Sequence, residues 1–539
     1  MARTFVQVRA EAKLAWIMPS AAESLNENCT FKNFNNLQKK SCLPRNHEGA
    51  SAYGLTPEME LYTAVVTMAL QDKFYEVADA QVDRVAKLIR QVSPQFVAKL
   101  AVYTREEMHL RSVPLLLVVE LAKTHTGDNL VGRTIDRVVK RADEIMELLV
   151  CYQWRNKRES SKKLSGLSHQ IQVGLQRAFN RFDEYQFAKY DRNNLEVKLR
   201  DALFIVHPKA KDEAQQAIFN KITDRALDTP YTWETELSAL GQRYYKTPEM
   251  RTAAFAEKWS ELIRSNRVGY MALMRNLRNM LNAGVSEKAL NRVAERLADA
   301  QEVESSQQLP FRYLAAYKEL VGNESPHTTM LLNALEDAVQ HTAASIRGID
   351  GNSRLLLACD TSGSMLVPLS SKSSIACYDV GILLSMLVQN RCKQVVSGMF
   401  ADSWKVINMP TKSILGNTME MRRRVGQVGY STNGEKPLEW LIEKRAVMDK
   451  VMIFTDCQFW NNAYDNYAQK FSKTWKRYKQ IAPDAKLYLF DLVGYGQTPL
   501  SIQQNDVYCI AGWSDRIFDI LDAIDHAKDA VAVINETAL

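Results

Sequence analysis

A carboxylate and two hydroxyls stand at alternate positions in one short segment of the chain. Asp360, Ser362 and Ser364 form a D-x-S-x-S pattern directly after the apolar residues 355–359, which have the length and composition of a buried strand. In an open α/β sheet, ligands collect at the carboxyl ends of the strands. Oxygen ligands of modest charge suit a hard divalent cation, above all Mg²⁺, with Mn²⁺ and Ca²⁺ as alternatives. Because a serine-rich turn would show the same pattern, a metal site needs support from elsewhere.

Two later segments supply that support. Residues 429–434 (GYSTNG) form a turn-rich loop that opens a helix and offers the hydroxyl of Thr432, and residues 451–456 are a second apolar run that ends in Asp456. Together the three segments resemble the metal-ion-dependent adhesion site of von Willebrand factor A domains. The resemblance implies that Ser362, Ser364 and Thr432 ligate the metal. It also implies that Asp360 and Asp456 bind it directly or through water.

Length and composition limit the classes of protein to consider. A chain of 539 residues is too long for one core, and 46% hydrophobic with 24% charged residues is ordinary for a folded soluble protein. No apolar segment approaches the roughly 20 residues of a membrane span, so we expect a cytoplasmic protein without a membrane partner. The eight cysteines include no C-x-x-C pair, which argues against structural zinc. The net charge of +7 permits a polyanionic partner without requiring one.

The chain divides into three parts by pattern. Residues 1–50 form an N-terminal segment that is partly irregular, and residues 51–349 carry successive amphipathic helices, for example at 94–108, 113–124 and 134–150. Paired helices that recur about every 40 residues favour a HEAT-like α-solenoid, with an irregular helical bundle as the alternative.

Residues 350–539 alternate between strand and helix. Strands are predicted at 354–359, 394–400, 450–455, 486–491 and 506–510, and helices at 375–390, 435–445, 463–480 and 514–528. This alternation predicts a doubly wound parallel sheet. The predicted fold class is therefore a multidomain α plus α/β chain.

Basic residues are densest between positions 154 and 211, where Tyr185 and Tyr190 are interleaved with them. Cationic groups contact phosphates, and aromatic rings stack on unpaired bases. The candidate RNA contacts in this part of the chain are Lys163, Arg177, Arg181, Lys189, Arg192 and His207. A merely solvated helical surface would have the same composition, and His207 before Pro208 could simply end a helix.

The layout as a whole resembles the Ro autoantigen family, whose helical part is the TROVE module. The stretches that carry the resemblance are 48–53 (EGASAY), 204–209 (FIVHPK), 271–277 (MALMRNL) and 309–318 (LPFRYLAAYK). The resemblance implies a monomeric closed ring whose positive hole accepts single-stranded 3′ ends of misfolded small RNAs. It further implies an outer surface for Y RNA, a tethered 3′-to-5′ exonuclease, and a role in noncoding-RNA quality control or stress response. Lys189, Arg192 and His207 match RNA-contacting positions of the family, although the spacing from Tyr190 to His207 differs by about one residue.

One departure from the family pattern indicates a divergent member, of bacterial or phage type. Where the family shows a Gly-Trp-Gly-Arg-like element, residues 164–169 read LSGLSH. The alternative function is a protein-interaction scaffold whose A domain binds acidic partners through the metal, without an RNA role. An enzyme is not expected, because P-loop, G-x-S-x-G and H-E-x-x-H motifs are missing from the sequence.

Overall fold

The computed structural model describes residues 44–48, 50–68, 76–157, 166–192, 195–370, 373–459, 467–502, 506–526 and 528–539. Lys163, one of the predicted RNA contacts, lies outside these residues, as does most of the N-terminal segment. None of the described helices is long and apolar enough to cross a membrane.

The first part of the described chain is a helical array. Its helices are α1 Pro57–Val66, α2 Ala78–Ile89, α3 Pro94–Glu106, α4 Ser112–Thr124, α5 Leu130–Val138, α6 Ala142–Arg155, α7 His169–Phe179, α8 Glu184–Tyr190, α9 Leu199–Val206, α10 Glu213–Asp224, α11 Trp233–Gly241, α12 Pro248–Arg264, α13 Tyr270–Asn282, α14 Glu287–Ala298, α15 Ala300–Ser306, α16 Pro310–Leu320 and α17 Thr328–Ala344. Several begin at a Ser/Thr–Pro pair, because the hydroxyl caps a free N–H and proline suits the first turn. The Ser93 hydroxyl, for example, accepts from the Phe96 N–H at 3.2 Å.

In the first part of the array, helices pack against those one or two positions further along the chain, whereas near its end α14 packs against α17. Helix α3 contacts α4 and α5, and α4 contacts α6. The single helix predicted at 134–150 is wrong, because the chain breaks between α5 and α6. There the Val138 carbonyl accepts from Arg105 Nε at 2.9 Å, and the Glu144 carboxylate accepts from the Lys140 N–H at 2.8 Å. Side chains thus satisfy the backbone groups that a continuous helix would have paired.

The second part is an α/β domain whose strands follow the predicted positions. Its elements are β2 Arg354–Asp360, a 3₁₀ turn Gly363–Leu366, α18 Cys377–Arg391, β3 Gln394–Phe400, β4 Trp404–Val406, α19 Leu415–Arg423, α20 Lys436–Lys444, β5 Lys450–Thr455, α21 Tyr467–Lys479, β6 Lys486–Asp491, β7 Gln497–Thr498, β8 Val507–Ala511, α22 Ile517–Asp525 and α23 Ala530–Asn535; a short strand, β1 Tyr53–Gly54, precedes the array. The predicted combination of a helical array and an α/β domain is confirmed.

The central sheet has the order β4-β3-β2-β5-β6-β8. It is mixed, in contrast to the predicted parallel sheet, because β4 at the edge pairs antiparallel with β3 through the tight turn at 401–403. The chain leaves β2 for β3 on one side and returns to β5 on the other. Such a reversal opens a crevice at the carboxyl end of β2, which is where Asp360 stands.

Both faces of the sheet are covered, as is usual for parallel strands. Alternate residues of β2 point to opposite faces. Leu355 and Leu357 join the core that continues into the helical array, whereas Leu356 and Ala358 join a separate core with α20 and α21. One face of the α/β domain is therefore buried against the array.

The α/β domain contacts both ends of the array, so the chain closes on itself. At the start of the array, β1 pairs antiparallel with β7, and the Thr67 hydroxyl donates to the Val493 carbonyl at 2.8 Å. At its end, Glu336 of α17 accepts from the backbone N–H groups of Leu415 (3.1 Å) and Gly416 (3.3 Å) at the first turn of α19. Closure thus depends on contacts between distant parts of the sequence.

Candidate functional site

Three loops meet at the carboxyl edge of the sheet, as the sequence predicted. Asp360 ends β2, and its Oδ2 accepts from the hydroxyl of Thr455, the last residue of β5, at 2.6 Å. The Gly363 N–H donates to the Tyr430 carbonyl at 2.9 Å. Gly434 lies so close to Phe459 that an added Cβ would stand 2.4 Å from the ring. These contacts hold the loops around 360, 430 and 456 together.

The predicted metal ligands at this edge are Asp360, Ser362, Ser364, Thr432 and Asp456, and all five side chains are buried. The hydroxyls of Ser362 and Ser364 are 3.4 Å apart. Asp456 accepts from the Gln458 N–H at 3.0 Å through Oδ1, whereas its buried Oδ2 makes no hydrogen bond with any residue that the structure describes. A buried carboxylate oxygen without a partner is costly unless a cation or proton satisfies it.

The electrostatics of the two aspartates fit one cation. Burial and the nearby charge of Asp456 raise the pKa of Asp360 to about 7, and burial raises the pKa of Asp456. Two carboxylates that oppose each other's ionisation gain from a divalent ion between them. Within the described ranges, no group of three or more His, Cys, Asp or Glu residues is arranged to hold a metal, so this site would depend on its hydroxyls. Hydroxyl and carboxylate oxygens are a donor set suited to Mg²⁺.

Two of the predicted RNA contacts line one surface groove. Lys189 and Arg192 border a groove of 720 Å³ with residues 227–242, and it also carries the acidic side chains Asp191, Asp228 and Glu234. The Lys189 ammonium lies 5.9 Å from the ring centroid of Tyr185 and 5.7 Å from that of Tyr190. Arg192 is exposed. The sequence thus placed the cations and aromatic rings together, but did not show that Asp228 and Glu234 line the same groove.

His207 ends α9 in a left-handed conformation, with φ of 50° and ψ of 57°. Gln176 Nε2 donates to its carbonyl at 3.1 Å, and the side chain is exposed. The backbone of His207 therefore has a structural role, and its imidazole remains accessible to a ligand.

Arg177 and Arg181 use much of their hydrogen-bonding capacity inside the array. Arg177 forms an ion pair with Asp136 at 2.8 Å. Arg181 donates to the carbonyls of Asp136 at 2.7 Å and Val139 at 3.0 Å, and burial lowers the pKa of its guanidinium. These bonds satisfy the carboxyl end of α5. Contact of either arginine with RNA stays a prediction, and fewer of their guanidinium N–H groups are left to donate to a phosphate.

Two arginines outside the predicted RNA-binding stretch, Arg275 and Arg312, line one cavity. Burial lowers the pKa of Arg312 in α16 to about 10, and the charges of Arg275 in α13 and Arg111 at the start of α4 lower it further. Arg275 and Arg312 line a cavity of 350 Å³, and neither forms an ion pair with the described residues. Both stand in the sequence stretches 271–277 and 309–318, but nothing in their spacing showed that the two arginines line one cavity.

Comparisons with known proteins match both parts of the chain. The family model described as the TROVE domain matches residues 62–248 and 224–346, and the model described as the Ro60 vWA domain matches residues 354–524. The RNA-binding protein RO60 of Deinococcus radiodurans is 25% identical over 309 residues, which are 51% of this chain and 57% of that protein. The crystal structure of the Deinococcus radiodurans RO (RSR) protein aligns with a TM-score of 0.57 at 17% identity, over 87% of this chain and all of that one.

Telomerase protein component 1 is a second kind of relative. The rat protein is 22% identical over 318 residues, and the mouse protein is 22% identical over 320 residues. Each alignment covers 45% of this chain but only 12% of the relative. The chain therefore spans a small part of these longer proteins and about half of the Deinococcus relative.

Proposed function

Because the chain belongs to the Ro family of TROVE-domain proteins, we propose that it is an RNA-binding ring that captures single-stranded 3′ ends of misfolded or small noncoding RNAs. A Y-like RNA is the second proposed ligand, and a 3′-to-5′ exonuclease is a proposed partner. The proposed setting is noncoding-RNA quality control or stress response in the cytoplasm, with the protein as a monomeric ring. Its similarity to an RNA-binding protein and to a telomerase component supports a nucleic-acid ligand.

Arg275 and Arg312, which line one cavity without an ion pair to the described residues, carry this proposal. Arg275 stands on α13 and Arg312 on α16, whereas Arg111, whose charge also acts on Arg312, is already paired with Asp143 at 2.9 Å. Like charges near one another disfavour the charged state, and a polyanion removes that cost. Phosphates along a single strand would supply such charge without base recognition.

The Lys189–Arg192 groove is the proposed second RNA surface. Lys189 beside two tyrosine rings combines a phosphate contact with a stacking platform, which is the usual combination for unpaired RNA. The acidic residues Asp191, Asp228 and Glu234 in the same groove would repel phosphates, so RNA should contact it through Lys189 and Arg192.

We also propose that one Mg²⁺ ion occupies the buried oxygen cluster at the carboxyl edge of the sheet. The hydroxyls of Ser362, Ser364 and Thr432 would hold it together with the carboxylates of Asp360 and Asp456. The proposed role of this ion is structural or adhesive. Two-metal phosphodiester cleavage uses ions about 4 Å apart on bridging carboxylates, whereas this cluster relies on hydroxyls, and we propose no catalytic activity.

Filter binding tests the RNA proposal. The probes are a hairpin with a single-stranded 3′ tail and the same hairpin with a blunt end. We expect Arg275→Gln combined with Arg312→Gln to weaken binding of the tailed RNA at least about tenfold, since each lost phosphate contact removes electrostatic free energy. Arg292→Gln, on the exposed side of α14, is the matched control and should bind like the parent protein.

Equal affinities for tailed and blunt RNA, or equal losses in the double variant and the control, would contradict the proposal. The Asp360→Ala variant distinguishes the RNA-binding ring from the protein-interaction scaffold. If the array carries the RNA site, this variant and the parent protein should bind RNA with the same affinity. A scaffold that acts only through its metal would bind RNA in neither form.

A further inference from the structure

A second depression lies beside the cavity that holds Arg275 and Arg312 and shares a residue with it. This groove of 410 Å³ is lined by α11, α12 and α13, and Asn279 of α13 lines both the groove and the arginine cavity. Positions 275 and 279 are one helical turn apart and therefore neighbours on the surface of α13. A ligand that contacts Arg275 can continue from the cavity into the groove.

Aromatic rings line this groove. Trp233, the first residue of α11, stacks on Trp259 of α12, with ring centroids 6.0 Å apart and ring planes at 21°. Trp259 is buried, whereas Trp233 and Phe255, one helical turn before Trp259, are half-buried and line the groove. Aromatic side chains that stay accessible are the surfaces on which unpaired bases stack.

The charge of the groove suits a polyanion. The Arg251 guanidinium lies 5.6 Å from the ring centroid of Phe255, is exposed and forms no ion pair with the described residues. Among the described side chains that line the groove there is no acidic one, in contrast to the three acidic residues in the groove of Lys189 and Arg192. A phosphate next to a stacked base would therefore meet a cation and no opposing carboxylate on these walls.

The polar groups of the groove are amides whose orientation is fixed. Asn276 Nδ2 donates to the Ala272 carbonyl at 2.8 Å, and Asn276 Oδ1 accepts from Asn279 Nδ2 at 2.9 Å. The carbonyl oxygen and the second amide N–H of Asn279 bond to none of the described residues. Asn279 thus offers one acceptor and one donor, which are the groups that bond to the edge of a base.

We propose that this groove binds an unpaired nucleobase of the RNA strand whose phosphates contact Arg275 and Arg312. The inference rests on the proposed RNA function and deepens it, because it adds a contact with a base to contacts with phosphates. Phe255 and Trp233 provide the stacking surface, and Asn279 bonds to the edge of the base. The affinity for a tailed RNA then depends on the bases of the tail as well as on its charge.

Filter binding with an abasic tail tests this inference on the full-length protein. The probes are the hairpin with a single-stranded 3′ tail and the same hairpin whose tail keeps its ribose and phosphates but has no bases. The parent protein should bind the normal tail at least about fivefold more tightly than the abasic tail, since one base stacked on an aromatic ring contributes that much affinity or more.

The variant Phe255→Leu places this contact in the groove. It should lower affinity for the normal tail at least about fivefold and leave affinity for the abasic tail unchanged, because leucine keeps the apolar packing and removes the aromatic face. Tyr244→Leu is the matched control, since Tyr244 is 90% exposed and lies outside the groove. This control should bind both tails like the parent protein.

A tail that carries 5-iodouracil provides a second measurement, because irradiation should cross-link it to the segment 233–259. Equal loss of affinity in Phe255→Leu and Tyr244→Leu, equal binding of normal and abasic tails by the parent, or a cross-link only outside this segment overturns the base site. A preference of the parent for tailed over blunt RNA would then still support the RNA proposal. If the parent shows no such preference, the RNA proposal and the base site both fall.

Discussion

The Tyr62 hydroxyl should contribute strongly to the stability of the closed chain. Tyr62 is fully buried in α1, where its hydroxyl donates to the Ala511 carbonyl at 2.9 Å and accepts from the Ala511 N–H at 3.2 Å. A phenol from the start of the array thus takes the place of a strand partner at the end of β8. Tyr62→Phe removes the oxygen without changing the ring, and both backbone groups lose their partner.

The expected cost follows from those two groups. A buried backbone donor or acceptor left unsatisfied costs about 1–3 kcal/mol, so the loss of a partner for both groups should destabilise the closed state by roughly 2–6 kcal/mol. Because a chain with several structural units need not unfold in one step, a local probe is preferable to a single melting temperature. Hydrogen exchange at the Ala511 amide should accelerate at least about 30-fold.

Tyr488→Phe is the matched control for this prediction. Tyr488 is fully buried in β6, next to β8, and its hydroxyl makes no hydrogen bond with the described residues. Its removal should change exchange at Ala511 little. If hydrogen exchange at the Ala511 amide is no faster in Tyr62→Phe than in Tyr488→Phe, the Tyr62 hydroxyl does not stabilise the end of β8, and the reasoning about closure is refuted.

Two further predictions concern charge. The double variant Lys189→Glu with Arg192→Glu should bind single-stranded RNA more weakly, and the slope of log K against log salt should fall by about 1.4 because two phosphate contacts are lost. The control Lys288→Glu on α14 should leave the slope unchanged. If the double variant has the same slope as the parent protein, Lys189 and Arg192 do not contact RNA. Burial raises the pKa of Glu147 to about 7, although a hydrogen bond from Ser112 opposes the rise. Because the folded state binds the proton of the Glu147 carboxyl more tightly than the unfolded state does, the free energy of unfolding should fall by up to about 3 kcal/mol as pH rises from 4.5 to 7. Urea unfolding of Glu147→Gln should not show this decrease.

The sequence was most informative where local pattern and fold agree. Apolar runs that end in Asp360 and Asp456 predicted both the strands and the edge where they stop, because the carboxyl ends of parallel strands share one edge. The break between α5 and α6 was not predictable, since Arg105 and Glu144, which replace the missing helical bonds, come from different helices.

The partners of the charged side chains could not be predicted from the sequence either. Composition marked Arg177 and Arg181 as basic, but only the fold shows that Asp136 engages both. The cavity that Arg275 and Arg312 share depends on how α13 packs against α16, which no local pattern encodes. Asn46 lies just before a stretch that carried the family resemblance, yet its hydrogen bond to the Phe459 carbonyl follows from the pairing of the N-terminal segment with the last third of the chain.

The pairing of β1 with β7, and of Tyr62 with Ala511, has a consequence for biosynthesis. The array is synthesised long before β7 and β8, so the part of α1 that packs against β8 and α23 stays uncovered for most of translation, although α2 and α3 can already cover the rest. Contacts of such long sequence separation form slowly and leave intermediates that are prone to aggregation. A nascent or prematurely terminated product would therefore be an open arc, and a chaperone that shields α1 during elongation would raise the yield of the finished protein.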